Sequence, residues 1–281
     1  MDLLRELGTG VVCGDGAIGT LLLDAGVPIE CCFEELCVSE PERIQKIHED
    51  YAAAGARVIK TNTFGANSVR LGRFGMEKRV AEINRAAVAV ARRASKNEDV
   101  CVAGSVGPLG ITRDEADAQE IDRPRCFAEQ ITALLESGVD VICFETFTYF
   151  EEMQLAFMVK EQLGDAPAIY SFACAPDGRL HCGTRIEDAL DWFQHRGAIV
   201  GVNCMNTPRE MSALMQHVPN KSVLAVYPTA GKSRDGIITP EEFAAFAPDL
   251  TARGARLLGG CCGTTPDHIA ALAAAISKLP S

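Results

Sequence analysis

Cys261 and Cys262 stand side by side in the run Leu258-Gly259-Gly260-Cys261-Cys262-Gly263-Thr264-Thr265-Pro266, and Cys204 closes a second apolar run, Ile199-Val200-Gly201-Val202-Asn203-Cys204. Zinc takes four ligands, and a site built from three protein thiolates keeps one position open, which is the catalytic arrangement rather than the closed structural one. The vicinal pair is a poor disulfide. Neighbouring Cα atoms lie about 3.8 Å apart, whereas disulfides span roughly 4.4–6.8 Å. Two adjacent thiolates can nevertheless reach the same ion. The alternative is that all three are small buried hydrophobes. Against it stands Gly259-Gly260, which lets the strand end crowd close to a bound metal.

Two acids end other apolar runs, Asp15 before Gly16 and Glu145 in Phe144-Glu145-Thr146. A carboxylate in such a place can hold a substrate ammonium, and backbone N–H groups around Gly16 can hold a substrate carboxylate. Each acid taken alone also reads as a strand-end cap, but beside a metal site the two suggest an amino-acid pocket. Lys60, in Val58-Ile59-Lys60-Thr61-Asn62-Thr63-Phe64, carries a rival chemistry. A strand lysine with a depressed pKa can form a Schiff base, as in an aldolase. The reading preferred here turns it outward, snorkelling between helices, because an aldolase leaves the three cysteines unexplained. Cys13, Cys101, Cys143 and Cys174 fall inside strands and read as packing residues. Cys31, Cys32 and Cys37 cluster in a loop without a fourth ligand nearby. None of the five histidines has zinc-protease spacing, and His48, His195, His217 and His268 read as surface or capping residues on helices.

The elements that must carry these residues alternate. Strands are expected at Val11–Gly16, Val58–Phe64, Val100–Pro108, Val139–Thr146, Ala168–Ala175, Ala198–Cys204, Ser222–Ala230 and Ala255–Cys262. Helical patterns fall between them at Glu42–Ala54, Lys78–Ser95, Cys126–Glu136, Phe150–Leu163, Ile186–His195, Arg209–His217 and Glu241–Arg253, with a last one at Pro266–Lys278. Eight such units predict a closed α/β fold, a (β/α)8 TIM barrel forming one domain over residues 1–281. An open doubly wound sheet is the runner-up. Thr207-Pro208 and Thr265-Pro266 are helix starts three residues after Cys204 and Cys262. Both cysteines therefore sit at the carboxyl ends of strands, the face that bears the active sites of barrels. The polar stretch Gly110–Asp122 reads as a loop over the mouth.

A net charge of −11 argues against nucleic acid as a partner. No apolar run approaches the 18 or so residues of a membrane span. Met1–Gly10 lacks a basic start followed by an apolar stretch, so a cytoplasmic protein with reduced thiols is expected.

In Gly14-Asp15-Gly16-Ala17-Ile18-Gly19-Thr20, Thr61-Asn62-Thr63-Phe64-Gly65-Ala66-Asn67, Gly104-Ser105-Val106-Gly107-Pro108, Phe144-Glu145-Thr146, Gly201-Val202-Asn203-Cys204 and Gly259–Pro266 the chain resembles the homocysteine S-methyltransferase family. The stretch from Phe33-Glu34-Glu35-Leu36 through Asn84-Arg85-Ala86-Ala87 looks most like bacterial two-domain proteins, in which the barrel precedes a methylenetetrahydrofolate reductase domain. It also resembles the homocysteine domain of cobalamin-dependent methionine synthase, but stops at Ser281. The resemblance implies a barrel that moves a methyl group to the sulfur of L-homocysteine to give methionine, with Zn2+ held by Cys204, Cys261 and Cys262. It implies Asp15, Gly16 and Glu145 as contacts of the amino and carboxylate groups, and adds Asn203 and Thr61. The donor stays open among S-methylmethionine, betaine, methylcobalamin and methylfolate. A non-catalytic zinc-binding barrel acting with a separate corrinoid or folate protein remains the alternative, beside the Lys60 aldolase.

Overall fold

The computed structural model describes residues 1–95, 99–216, 218, 224–231 and 238–279. Eight parallel strands form one sheet: β1 (Val12–Cys13), β2 (Val58–Lys60), β3 (Cys101–Val106), β4 (Val141–Phe147), β5 (Ala168–Phe172), β6 (Ile199–Asn203), β7 (Leu224–Tyr227) and β8 (Ala255–Leu258). Each strand pairs with its successor from β2 to β8, and β8 pairs with β1. A parallel bridge between Gly14 and Val58 closes the ring. This is the expected (β/α)8 barrel.

The strands are buried on both faces, as parallel strands between a barrel interior and a helix layer must be. Alternation still separates the two sides. Val58, Cys101, Ala103, Val141, Cys143, Ile169, Ile199, Ala225, Tyr227 and Leu257 pack together in one cluster. Their neighbours Ile142, Phe144, Tyr170, Val200, Val202, Val226 and Leu258 pack against helix residues such as Phe127, Met153, Phe193 and Ile269. Leu3 and Leu7 of the helix Leu3–Thr9 join the interior cluster beside the first residues of the strands, so this helix stops the amino end. The period of two carries Lys60 and Glu145 to the inner face at the opposite end.

Two differences from the expected elements have physical causes, and one histidine also lies elsewhere than expected. The helix expected over Glu241–Arg253 is two, Pro240–Ala244 and Ala247–Ala252. Pro248 has no N–H, and its ring would clash with the carbonyl of Ala244. The stretch expected as a loop at Gly110–Asp122 holds a helix, Arg113–Ala118, started by a reciprocal Thr112–Glu115 capping box. His48 is fully buried on the helix Pro41–Ala53 rather than at the surface. His195 is exposed at a helix C-cap, and His268 accepts the Thr265 N–H as a cap. His217 and the first two residues of the strand expected at Ser222–Ala230 lie outside the described residues.

Candidate active site

The carboxyl ends of β6 and β8 bring three sulfurs together. The ligand atoms of Cys204, Cys261 and Cys262 all lie within 4.8 Å of one another, and the Sγ atoms of Cys204 and Cys262 are 3.8 Å apart. Among the described residues no other group of three or more potential ligands lies this close. Cys31, Cys32 and Cys37 do not form one; Cys32 and Cys37 are buried. Cys13, Cys101, Cys143 and Cys174 are buried packing residues.

The backbone turns sharply to aim these thiols. Cys204 and Met205 have φ of 56° and 43°, a conformation that costs a non-glycine residue about 1–3 kcal/mol and recurs at functional sites. Here it is held by Cys204 N–H donating to Tyr227 O at 2.9 Å and by Asn206, whose side chain donates to Cys174 O at 2.8 Å. On the other arm, Cys261 N–H donates to Pro228 O at 2.8 Å, while Ala230 and Gly231 donate to Cys262 O at 2.9 and 3.0 Å. The Thr264 hydroxyl closes the turn on Cys261 O at 2.7 Å. The glycines before the pair are required by space. A Cβ on Gly259 would stand 2.2 Å from the Tyr227 ring, and one on Gly260 2.5 Å from Thr264.

Hydrogen bonds from Cys204 and Cys261 hold the Cys262 thiol far below its usual range, at about 3, while its bonds to Cys204 and Cys262 push Cys261 well up. Three sulfurs so placed favour one thiolate and resist the second and third. A cation at their centre removes that resistance. The donor set fits zinc: ligands about 2.3 Å from a tetrahedral ion stand about 3.8 Å from each other, and Cys204 and Cys262 already have that separation.

The thiols form one side of a cavity of about 320 Å³. Its other walls include Gly16 to Thr20 after β1, Phe33 and Glu34, Lys60 at the end of β2 with Thr61 and Asn62 after it, Ser105 on β3, and Glu145 and Thr146 on β4. Of the residues expected at the substrate, Gly16, Thr61 and Glu145 line this cavity, whereas Asp15 and Asn203 are almost wholly buried behind it. Asp15 accepts the Lys60 N–H at 2.7 Å through one oxygen, and its other oxygen has no hydrogen-bond partner. Burial pushes its carboxyl up to about 7 against the pull of Lys60. Asn203 reaches across to Thr146, which has φ of 64°. Thr61 bonds Thr63 at 2.6 Å and accepts the Ser105 N–H at 3.0 Å.

Lys60 does not point outward between helices. It is 8% exposed, and its Nζ donates to Glu145 Oε2 at 2.8 Å with Asp15 Oδ1 at 4.0 Å. Burial opposes its charge, but Glu145 and Asp15 outweigh that and hold the ammonium well above its ordinary pKa. A Schiff base needs the free amine, so this lysine is poorly set for one. Ser105 bonds the second Glu145 oxygen. Sequence reasoning missed Ser105, Thr146 and Tyr227 as members of the site. Ser105 had a signal, two residues on from Ala103 on an inward-facing register.

The family model described as homocysteine S-methyltransferase matches residues 12–276. Methionine synthases of Mycobacterium leprae (strain TN) and Mycobacterium tuberculosis (strain ATCC 25618 / H37Rv) are each 31% identical over 99% of this chain, which spans about a quarter of their lengths (25% and 26%). The homocysteine S-methyltransferase of Escherichia coli (strain K12) is 30% identical over 92% of this chain and 93% of its own. Crystal structures of the homocysteine methyltransferase MmuM from Escherichia coli superpose with TM-scores of 0.81 for the oxidized form and 0.78 for the metallated form, at 28% identity. These cover 96% and 97% of this chain and 98% of each of those chains.

Proposed function

This chain belongs to the homocysteine S-methyltransferase family, and from that premise we propose that it transfers a methyl group to the sulfur of L-homocysteine, giving methionine, with Zn2+ held by Cys204, Cys261 and Cys262. The observation that carries the reading is the convergence of three thiols on the wall of a cavity at the carboxyl ends of the strands. Zinc bound there would keep the homocysteine sulfur as a thiolate at neutral pH, where a free thiol is only about 3% ionised.

The chain's own residues would do the rest. Glu145 takes the substrate ammonium, N–H groups around Gly16 take the carboxylate, and Asp15 supports them from behind by holding the Lys60 backbone. Fixing both ends of the amino acid aims its sulfur at the thiols, and such alignment contributes more to rate than ionisation, which is worth at most about 2 kcal/mol. Among the described residues no histidine lines the cavity, in keeping with a transfer in which no proton has to be removed from a bound thiolate.

The decisive test is zinc per chain after purification under reducing conditions, followed by methionine formation from homocysteine with S-methylmethionine, betaine, methylcobalamin or methylfolate as donor. About one zinc and turnover with one of these donors supports the proposal. A zinc-loaded protein that binds homocysteine but turns over with none favours a barrel acting with a separate corrinoid or folate protein. No helix among the described residues is long and apolar enough to cross a membrane, and we place the reaction in the cytoplasm.

A further inference from the structure

An ion pair faces the cavity where the substrate's amino-acid end would lie. Lys60 and Glu145 are each 8% exposed, both line the cavity, and their charged atoms are 2.8 Å apart. An ammonium has three N–H donors. Glu145 Oε2 accepts one; Asp15 at 4.0 Å is beyond hydrogen-bond reach. The face of the Tyr227 ring, its centroid 4.4 Å away, covers another side by cation–π attraction. That leaves donor capacity on a side chain that borders open space. A buried ion pair is a poor way to stabilise a fold, since apolar residues of the same size serve as well or better. A positive and a negative group side by side do, however, match a zwitterion laid against them in the opposite sense.

We propose that Lys60 is a specificity-determining residue, joining the N–H groups around Gly16 in receiving the α-carboxylate of the thiol substrate while Glu145 beside it receives the α-ammonium. This rests on the homocysteine reading and deepens it. Glu145 alone would welcome any amine. The pair favours a ligand carrying both charges, because neutral pair and neutral zwitterion together bury no net charge. A hydrogen bond between charged groups is worth at least about tenfold in affinity, so a thiol lacking the carboxylate should bind that much more weakly.

The test compares L-homocysteine with 3-mercaptopropylamine, which keeps thiol and ammonium but lacks the carboxylate. Dissociation constants are measured by calorimetry on zinc-loaded wild type, Lys60→Met and Lys60→Gln, with zinc content checked in each. Wild type should prefer homocysteine by well over tenfold, and the preference should fall by about tenfold in both variants, leaving the share that the N–H groups around Gly16 supply. Lys60→Gln can still donate to Glu145, so it guards against a Lys60→Met protein that does not fold. Equal affinities in wild type overturn the assignment without any variant. An undiminished preference in the variants means that Lys60 only braces Glu145. Tighter homocysteine binding in the variants means that Lys60 competes with the substrate ammonium, which also overturns it. A wild-type protein that binds neither thiol sinks the homocysteine reading itself, an outcome separate from all of these.

Discussion

The Asn203 side chain clamps Thr146 from two directions. Its Oδ1 accepts the Thr146 N–H at 2.9 Å, and its Nδ2 donates to the Thr146 hydroxyl at 2.8 Å. Thr146 sits at φ of 64°, so the clamp holds a strained residue directly after Glu145. Asn203→Ala should cost about 2 kcal/mol of stability through the lost buried hydrogen bonds. It should also raise the homocysteine KM about tenfold as Glu145 loses its fixed position. Steady-state kinetics with metal analysis checks this; a fall in zinc instead of a rise in KM would show that Asn203 serves Cys204, its neighbour, rather than Glu145.

Cys261→Ser should lose zinc and methyl transfer together while keeping the fold. The Cys261 side chain is tied to the other two sulfurs, whereas its backbone is held independently by Pro228 and Thr264. A serine keeps those backbone bonds and removes the soft ligand that zinc prefers. Metal content and circular dichroism on one preparation suffice, and a variant that retains full zinc and turnover defeats the three-thiol assignment.

The barrel was legible in its eight alternating units, and the place of the thiols because Cys204 and Cys262 each precede a Thr-Pro helix start by three residues, which puts them at strand ends without knowing the fold. Lys60 was misread for the converse reason. Residues of β2 are buried on both faces, so no polar–apolar alternation marks which side is inner, and a lysine looks as though it must escape to solvent. Its partners, Glu145 and Asp15, lie 85 and 45 residues away, too far for any local pattern to announce the pair. The helix Arg113–Ala118 was within reach: Thr112-Arg113-Asp114-Glu115 is a capping-box sequence, hidden by the acidic composition around it. Asn203 acts on Thr146 across 57 residues, and only the pairing of β4 and β6 on either side of β5 brings them together.

Glu145→Ala should destabilise the protein by roughly 3 kcal/mol, because it leaves the Lys60 ammonium buried without its hydrogen-bonded partner. Adding Lys60→Met should recover part of the loss, giving a coupling of about 1–3 kcal/mol in a double-mutant cycle. Urea unfolding of the two single variants and the double variant measures it. Strictly additive losses would mean that the 2.8 Å contact carries no coupling. Zinc content should stay at the wild-type level throughout; its loss in Glu145→Ala would make Glu145 a support for the thiols rather than a substrate contact.

His48 makes acid stability a test of the helix layer. The ring is fully buried, and neither nitrogen has a hydrogen-bond partner. Burial alone pulls its pKa from 6.5 down to about 4. The folded state therefore binds the proton less well than the unfolded state. The stability this neutral ring allows is fully present above the unfolded value near 6.5, declines as pH falls through the interval, and is exhausted below about 4. The whole loss amounts to about 3 kcal/mol at 1.36 kcal/mol per pKa unit. His48→Leu removes the titrating group without breaking a hydrogen bond, so at pH 7.5 it should match wild type within about 1 kcal/mol. At pH 4.5 it should be the more stable protein by about 2–3 kcal/mol. Carboxylates also titrate in that range, but they are common to both proteins and cancel in the difference between their urea-unfolding free energies. A difference that stays constant from pH 7.5 to 4.5 would show that the ring is protonated, or reached by water, in the folded state.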